Sequence, residues 1–300
     1  MNPRVTVIVL TYNNLDDTIE CLDSVSRIDY PSLTVVLVDN HSTDGSIEKI
    51  KALFPDIHYV ENARNLGVAG GRNAGWQYAR KHFAADYLFF LDNDTIVMPD
   101  TLSHLSACLA AHSDVVMACG KTYTAPPSTT IMSVGMSVNL YTGLITDIGT
   151  GVTDVGQYET PGYVAACGGF AFLVRDSAFF ECNGLDEDFN PYGFEDVDFN
   201  LRSLEKGGRC YYVPEAIIHH KGCKIGRGYV PLYEKHKAMN YFRLLGRHTT
   251  LVQKLCCSVC VPARTLVAML RYVVRGEIRV VGYQLRGLME SVFKPGPKAE

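Results

Sequence analysis

Apolar residues come in short, dense runs at 5–10, 33–38, 57–60 and 87–91, each of a length that suits a strand buried on both faces. Between and after these runs the apolar positions recur every three or four residues, over 16–27, 44–53, 68–81 and 99–111, which predicts helices. Strand and helix in alternation predict a parallel sheet covered by helices. In such sheets functional groups gather at the carboxyl ends of the strands, and the polar clusters here obey that rule. Thr11-Tyr12-Asn13-Asn14 follows the first run, Asp39-Asn40-His41-Ser42 the second, residues 62–65 the third and Asp92-Asn93-Asp94 the fourth.

Beyond Asp94 the pattern changes. Turns rich in Gly, Thr and Ser between 121 and 163 separate short strand-like stretches at 133–138 and 140–146, which reads as a small β-rich insertion beside the main sheet. A helix over 195–206, a strand over 210–213 and long helical patterns over 229–292 complete the chain. The expected fold class is therefore α/β: a Rossmann-like, mainly parallel sheet flanked by helices, with a small β-rich insertion and a helical C-terminal appendage. In 300 residues this divides into a catalytic domain over 1–245 and a basic amphipathic helical region over 246–300.

Charge sharpens this division. Residues 1–200 carry 10 Lys and Arg against 26 Asp and Glu, while residues 201–300 carry 18 against 6, so the overall net charge of −4 hides an acidic body and a basic tail. A basic segment of that size faces an anionic partner such as membrane lipid, phosphate or nucleic acid. The 10 cysteines are not accompanied by a secretory pattern, because Met1-Asn2-Pro3-Arg4 leads straight into the first apolar run; free thiols in a reducing cytoplasm are expected. Cys257 and Cys260 have the spacing of a zinc or redox pair, but no second pair accompanies them. No uncharged stretch reaches the roughly 18–20 apolar residues of a spanning helix, so the expectation is a chain that does not cross a membrane.

Four motifs carry candidate chemistry. Asp92-Asn93-Asp94 ends a run hydrophobic enough to be a central strand, where two carboxylates repel each other and lose hydration unless a cation lies between them. Oxygen ligands suit Mg²⁺ or Mn²⁺; the alternative is a turn in which Asp94 caps the next helix. The run Asn65-Leu66-Gly67-Val68-Ala69-Gly70-Gly71-Arg72-Asn73-Ala74-Gly75 offers glycines, a helix N-terminus and the fixed positive fork of Arg72, all suited to a diphosphate. It reads equally as a glycine-rich helix start packed tightly on the sheet. In Tyr192-Gly193-Phe194-Glu195-Asp196-Val197-Asp198 the acids open a helix, where the dipole favours them, but the apolar neighbours imply partial burial and a general base. The run 213–222 is strand-like and ends in His219-His220, either structural histidines or a further metal ligand.

Taken in order, residues 5–13, Val38-Asp39-Asn40-His41-Ser42-Thr43-Asp44-Gly45, Asn65 to Gly75, Asp92 to Asp94, Cys167-Gly168-Gly169-Phe170, Phe194-Glu195-Asp196 and residues 214–222 closely resemble the inverting glycosyltransferases of family 2 type with the GT-A fold. The resemblance covers residues 3–245, and the Asn-Leu-Gly-x-Ala-Gly-Gly-x-Asn and Glu-Asp-Val-Asp versions look most like the bacterial rhamnosyltransferase branch that builds surface polysaccharides. It implies Thr11, Tyr12 and Asp39 around the nucleotide base and ribose, Arg72 and Asn73 near the nucleotide or its phosphates, and Asp92 at ribose or metal. It also implies Asp94 as direct metal ligand, with His220 rather than His219 joining it, Gly168 and Gly169 forming the floor of the sugar and acceptor site, and Asp196 as base beside Glu195. The implied cofactor is Mn²⁺ or Mg²⁺, and the implied partners are a dTDP- or UDP-sugar donor and a saccharide or lipid-linked acceptor, not nucleic acid. A sugar nucleotidyltransferase would need a lysine-bearing glycine-rich loop near the N-terminus, which residues 5–14 lack. A non-catalytic scaffold binding sugar nucleotide or polymer at a membrane is the other alternative.

The basic tail has its own pattern. Arg264, Arg271, Arg275, Arg279 and Arg286 fall within about 80° of one another at 100° per residue, and Leu266, Val267, Leu270, Val273, Val274, Val281, Leu285, Leu288 and Val292 lie on the other side. Such a helix either lies in an anionic membrane interface or packs its apolar side on the catalytic domain. The first alternative places the protein peripherally on the cytoplasmic face of the inner membrane.

Overall fold

In the computed structural model the described residues are 2–222, 231–274 and 278–293. In chain order the elements are β1 (Val5–Thr11), α1 (Leu15–Ser26), β2 (Leu33–Asp39), α2 (Ser46–Leu53), β3 (His58–Glu61), α3 (Gly67–His82), β4 (Tyr87–Asp92), β5 (Thr95–Val97) and α4 (Thr101–Ala111). There follow β6 (Val115–Tyr123), β7 (Ile131–Ser133), β8 (Met136–Asn139), β9 (Leu144–Asp147), β10 (Gly162–Val164), β11 (Ala171–Arg175), α5 (Asp176–Glu181), α6 (Glu195–Glu205) and β12 (Arg209–His220). The helices α7 (Pro231–His248), α8 (Leu251–Val274) and α9 (Ile278–Phe293) come last.

The main sheet runs in the order β10-β12-β6-β11-β4-β1-β2-β3, with β5 added to β12 and β7 to β6. Strands β4, β1, β2 and β3 are parallel, as the alternation of strand and helix requires. Strand β11 runs antiparallel between β4 and β6, making the sheet mixed. Neither β6 nor β11 is anticipated by the sequence pattern: β11 spans five residues between a Gly-Gly turn and a helix start, and β6 is interrupted by Gly120 and Lys121. The strand expected over 210–213 and the apolar run behind it form one strand, β12. A register shift between Val213 and Ile217 absorbs Pro214, which has no N–H to give the ladder.

The two faces of the sheet bury separate sets of residues. Val5, Val7 and Val9 point to the side covered by α1 and α4, against Leu22, Leu102 and Leu105. Ile8, Val36, Val38 and Phe90 point to the other side, against Ala69, Trp76, Phe179 and Phe199. On that second side α3 comes very close to the strands. A Cβ on Gly75 would sit 2.6 Å from Ile8 and 2.7 Å from Val38, and one on Gly71 would sit 2.5 Å from Leu10. Most of the glycine run is therefore a packing device that lowers α3 onto the sheet.

The β-rich insertion contains the hairpin β8–β9, narrower than the stretches expected at 133–138 and 140–146. Helix α8 packs on this hairpin and on α7: Cys257 and Val261 are buried against Leu245, Leu140 and Tyr241, and Arg264 donates to the carbonyls of Thr142 and Gly143 and to the Tyr241 hydroxyl. Arg264 turns inward, unlike the expected arginine stripe, while the apolar stripe of α8 turns outward, which does not fit the alternative of an apolar side packed on the catalytic domain. Leu251, Val252, Leu255, Val259, Leu266, Val267, Leu270, Val273 and Val274 are all exposed, and at 100° per residue they fall within about 160° of one another. Helix α8 is also long and apolar enough to cross a membrane by length and composition alone, although Lys254, Arg264 and Arg271 break its uncharged runs. Arg275, also assigned to the stripe, lies outside the described residues. The nine described cysteines are free thiols.

The close approach of α3 makes a prediction with a sign. Alanine is favoured over glycine inside a helix by about 1 kcal/mol, but overpacking a tight core costs about 1–3 kcal/mol. Gly75→Ala is therefore expected to lower the urea midpoint, whereas Gly246→Ala on α7, with open space around it, should raise it. Stabilisation by both substitutions would disprove the packing role.

Candidate functional site

Strand β4 carries Asp92 to the carboxyl edge of the sheet, where its backbone N–H donates to Phe170 O at 2.8 Å. The chain then turns back so that β5 pairs antiparallel with the end of β12, placing Thr95 opposite His220. This register brings Asp94 to His220 across 126 positions of sequence: Nε2 of His220 is 3.0 Å from Asp94 Oδ1 and 4.0 Å from Asp92 Oδ2. Ligand atoms of Asp92, Asp94 and His220 all lie within 4.8 Å of one another. Burial works against a charged imidazole, but the Asp94 hydrogen bond and the charges of Asp94, Asp92 and Asp147 outweigh it and raise the His220 pKa. Two carboxylates and an imidazole suit a divalent ion, with the nitrogen ligand favouring Mn²⁺ over Mg²⁺. His219 faces away, with its ring on Tyr123 and Nδ1 at Thr124 O. Asn93 is an anchor, donating to the Thr11 and Thr18 hydroxyls at 3.1 and 2.8 Å.

A cavity of about 230 Å³ opens beside this cluster, lined by Arg72, Asp92, Asp147, Gly168, Gly169, Phe170, Glu195, Asp196, His220 and Lys237 among others. Its far wall is the start of α6. Asp196 Oδ2 accepts from Gly169 N at 2.7 Å and Oδ1 from Val197 N at 2.8 Å, and a Cβ on Gly169 would sit 2.8 Å from Oδ2, so glycine is required for this approach. Asn200 ties the same turn to α6, accepting from Cys167 N and donating to Asp196 O. Burial raises the Asp196 pKa; the two backbone donors and Arg72 oppose it, while Asp147 adds to it. Burial, with Asp196 beside it, pushes Glu195 up to about 7, and Glu195 Oε2 accepts from Gly193 N at 2.8 Å. Asp198 is turned away and paired with Arg202 and His248.

Arg72 lines the cavity yet its side chain is only 1% exposed, and Nη2 is committed to Asp92 Oδ1 and Gly169 O, both at 2.6 Å. It neutralises Asp92 and props the Gly168-Gly169 turn. The N–H groups at the start of α3, read as free for phosphate, are taken by the protein: Gly67 N by Asn65 Oδ1, Val68 N by Pro191 O and Ala69 N by Asn190 Oδ1. Asn73 does not line the cavity. Its amide is spent on both backbone groups of Leu185 and on Glu187, which clamps that loop to α3.

At the β1 and β2 ends, the Thr11 hydroxyl is buried between Thr18 and Asn93, and the Asp39 carboxylate accepts from Ser42 N at 3.1 and 3.2 Å. Tyr12 is 48% exposed at this edge. Gly168 and Gly169 line the cavity. Among the lining residues not anticipated are Phe170, which stacks on His220 with centroids 4.9 Å apart, Lys237 on α7 and Asp147 on the hairpin. Phe170 sat within a quoted motif; Asp147 and Lys237 carry no local signal. A larger cleft of about 1080 Å³ opens at the opposite edge of the sheet around Arg4, Asp86 and Arg175. It lies at the wrong ends of the parallel strands for this architecture, and the acid and histidine cluster is not there.

Comparison with known proteins agrees with the geometry. The family model described as glycosyl transferase family 2 matches residues 6–178, more than half of the chain. An N-acetylglucosaminyl-diphospho-decaprenol L-rhamnosyltransferase of Mycobacterium tuberculosis (strain ATCC 25618 / H37Rv) is 25% identical over 269 residues, covering 83% of this chain and 86% of that protein. Among solved structures, S. aureus TarS 1–349 in complex with UDP-GlcNAc aligns with a TM-score of 0.64 at 15% identity, covering 96% of this chain and 80% of that one. The mannosyltransferase PcManGT from Pyrobaculum calidifontis, in complex with GDP-Man and Mn²⁺, aligns with a TM-score of 0.62 at 18% identity, covering 98% and 88%. With the sheet order, the carboxyl-edge cavity and the family match in agreement, the chain belongs to glycosyl transferase family 2 and is a glycosyltransferase of GT-A-like fold.

Proposed function

We propose that this glycosyltransferase moves a sugar from a nucleotide donor to a polysaccharide or lipid-linked saccharide with inversion, Asp196 serving as base. dTDP-rhamnose is the leading donor, which the resemblance to the mycobacterial rhamnosyltransferase supports, and a UDP-sugar is the next. The observation that carries the reading is that Asp196 shares one small cavity with Asp92 and His220. An acceptor hydroxyl on Asp196 passes its proton to the carboxylate while its oxygen bonds to the anomeric carbon. The anomeric carbon to diphosphate bond breaks on the opposite side, so a single displacement inverts the centre. Each Asp196 oxygen already accepts one backbone N–H and keeps lone pairs for this proton. A Mn²⁺ or Mg²⁺ ion held by Asp92, Asp94 and His220 would neutralise charge on the departing diphosphate.

The same proposal places the protein against the cytoplasmic face of an anionic membrane. The outward apolar stripe of α8 is far larger than the scattered exposure a soluble monomer shows, and Arg271, Arg279 and Arg286 are exposed near it. A helix bonded along its inner side to the catalytic domain suits lying in the interface better than crossing it.

Three measurements test these points. Asp196→Asn should cut donor turnover, read as nucleoside diphosphate release, by about 10²- to 10⁴-fold while leaving Mn²⁺-dependent nucleotide binding intact, with Glu195→Gln costing less. Near-normal turnover in Asp196→Asn would remove it as base. By calorimetry with nucleoside diphosphate and Mn²⁺, Asp94→Ala should abolish binding; His220→Ala should weaken it and shift preference toward Mg²⁺, and His219→Ala should leave it unchanged. Unchanged affinity in His220→Ala would remove His220 from the site. Finally, the protein should cosediment with vesicles containing phosphatidylglycerol but not with neutral ones. The triple substitution Leu255→Asp, Leu266→Asp, Leu270→Asp should abolish this without loss of nucleotide binding, and cosedimentation that survives it would disprove the apolar contact.

A further inference from the structure

Asp147 takes no part in the chemistry above, yet it stands inside the cavity. It ends β9, and its backbone is held on every side: Met136 is its partner in the hairpin, Met136 N donates to Ala166 O, Ile148 N to Gly135 O and Val134 N to Ile148 O. The hairpin loop beyond is fastened by Arg264 and Cys257 of α8. The side chain thus sits on a rigid mount. Its Oδ1 is buried and has no hydrogen-bond partner; the Ser133 hydroxyl lies close enough to favour the charged carboxylate, but it donates to Gly135 O. A buried carboxylate oxygen left without a donor is costly, and a site that keeps one generally meets its donor in a ligand.

Position decides which part of the ligand that is. Asp147 lines the cavity together with His220 and Asp196, and its charge is felt at both. On the proposed function, the diphosphate lies at the His220 end and the acceptor hydroxyl at Asp196. The ring being transferred lies between them. Lys237, which also lines the cavity, attracts Asp147 electrostatically, so an acidic and a basic group face the same space. An unfilled carboxylate oxygen beside that ring has hydroxyl groups as its available donors.

We propose that Asp147 is a specificity-determining residue whose Oδ1 accepts a hydrogen bond from a hydroxyl of the donor's transferred sugar. The inference rests on the reading of this cavity as a nucleotide-sugar site. Asp147→Asn tests it with little change of shape, and Asp147→Ala with a larger one.

The test is calorimetric, on the full chain with Mn²⁺, using dTDP, UDP and GDP beside dTDP-rhamnose, UDP-GlcNAc, UDP-glucose and GDP-mannose. If the wild type binds none of them, the nucleotide-sugar reading itself fails. For whichever sugar nucleotide the wild type binds, both variants should lose about 10- to 100-fold in affinity, while the matching nucleoside diphosphate binds as before. Deoxy analogues of that sugar supply the second arm. The analogue lacking the recognised hydroxyl should bind wild type and Asp147→Ala alike, a non-additivity that only a direct contact produces. Equal loss for nucleoside diphosphate and sugar nucleotide would mark a structural residue and overturn the proposal. So would unchanged sugar-nucleotide affinity accompanied by a raised KM for the acceptor alone, which would assign the carboxylate to the acceptor.

Discussion

The Arg72 guanidinium, carried into the interior on α3, holds Asp92 and the Gly169 carbonyl through one nitrogen, both at 2.6 Å. It is boxed in, with Phe172 5.7 Å away and with Nε and Nη1 buried and without partners. A cation with unsatisfied donors in such a place is stable only because carboxylates surround it, and they in turn are tolerable only because it is there. Removing Asp92, whose side chain is partly exposed, would leave the buried guanidinium uncompensated. The three elements joined here are α3, the end of β4 and the turn before β11. That turn also hands its Gly169 N–H to Asp196, so one guanidinium sets the distance between the cluster at Asp92 and the carboxylate of Asp196, the base on the proposed reading.

Charge balance around that guanidinium explains the behaviour of its neighbours. Asp92, Asp147, Glu195 and Asp196 all have raised pKa values, and burial is the first cause for each. Against these acids and Asp94 stand Arg72, His220 and Lys237. The deficit of positive charge shows in the imidazole, whose proton is favoured even though the ring is buried. An anionic diphosphate would make the deficit worse, so the cavity and a nucleotide donor are compatible only with additional positive charge between them. The Asp92, Asp94 and His220 ligand atoms face one another at that location.

Much of this was legible in the chain because it depends on local rules. Apolar runs of strand length alternating with helical periods define the parallel half of the sheet, and polar clusters after each run locate the carboxyl edge. What stayed hidden depends on pairing over long distances. Nothing near Ala171 announces that a five-residue strand enters the sheet between β4 and β6, and nothing near Leu144 announces that a hairpin brings Asp147 to the same cavity as Asp196 and His220. The polar residues at Thr11, Asp39 and Asn73 were legible as important but not in what they hold. Their side chains satisfy backbone and hydroxyl groups of the protein, a use that residue type alone does not distinguish from ligand binding. The direction of Arg264 is the same kind of case: periodicity assigns residues to one side of a helix but not which side faces the protein.

That direction links the two halves of the molecule. Because Arg264 and Cys257 are bonded to the hairpin loop, α8 turns its apolar side outward, and the loop is held between the cavity and the exposed stripe. The hairpin is therefore shared: one end carries Asp147 at the cavity, and the other is fastened to the helix that presents apolar surface. On the proposed membrane contact, a chain with an acidic body would be repelled by an anionic surface if it met that surface at random, and a basic, apolar helix would fix one approach. Since the helix is fastened to a cavity wall, contact made by its outer side also fixes the orientation of the cavity relative to the surface. On the proposed reading, an acceptor carried on a lipid would be confined to that surface and would reach Asp196 only along a restricted set of directions. A rigid connection through the hairpin, rather than a flexible tether, is what such confinement calls for, because a tether would hold the protein near the membrane without aiming the site.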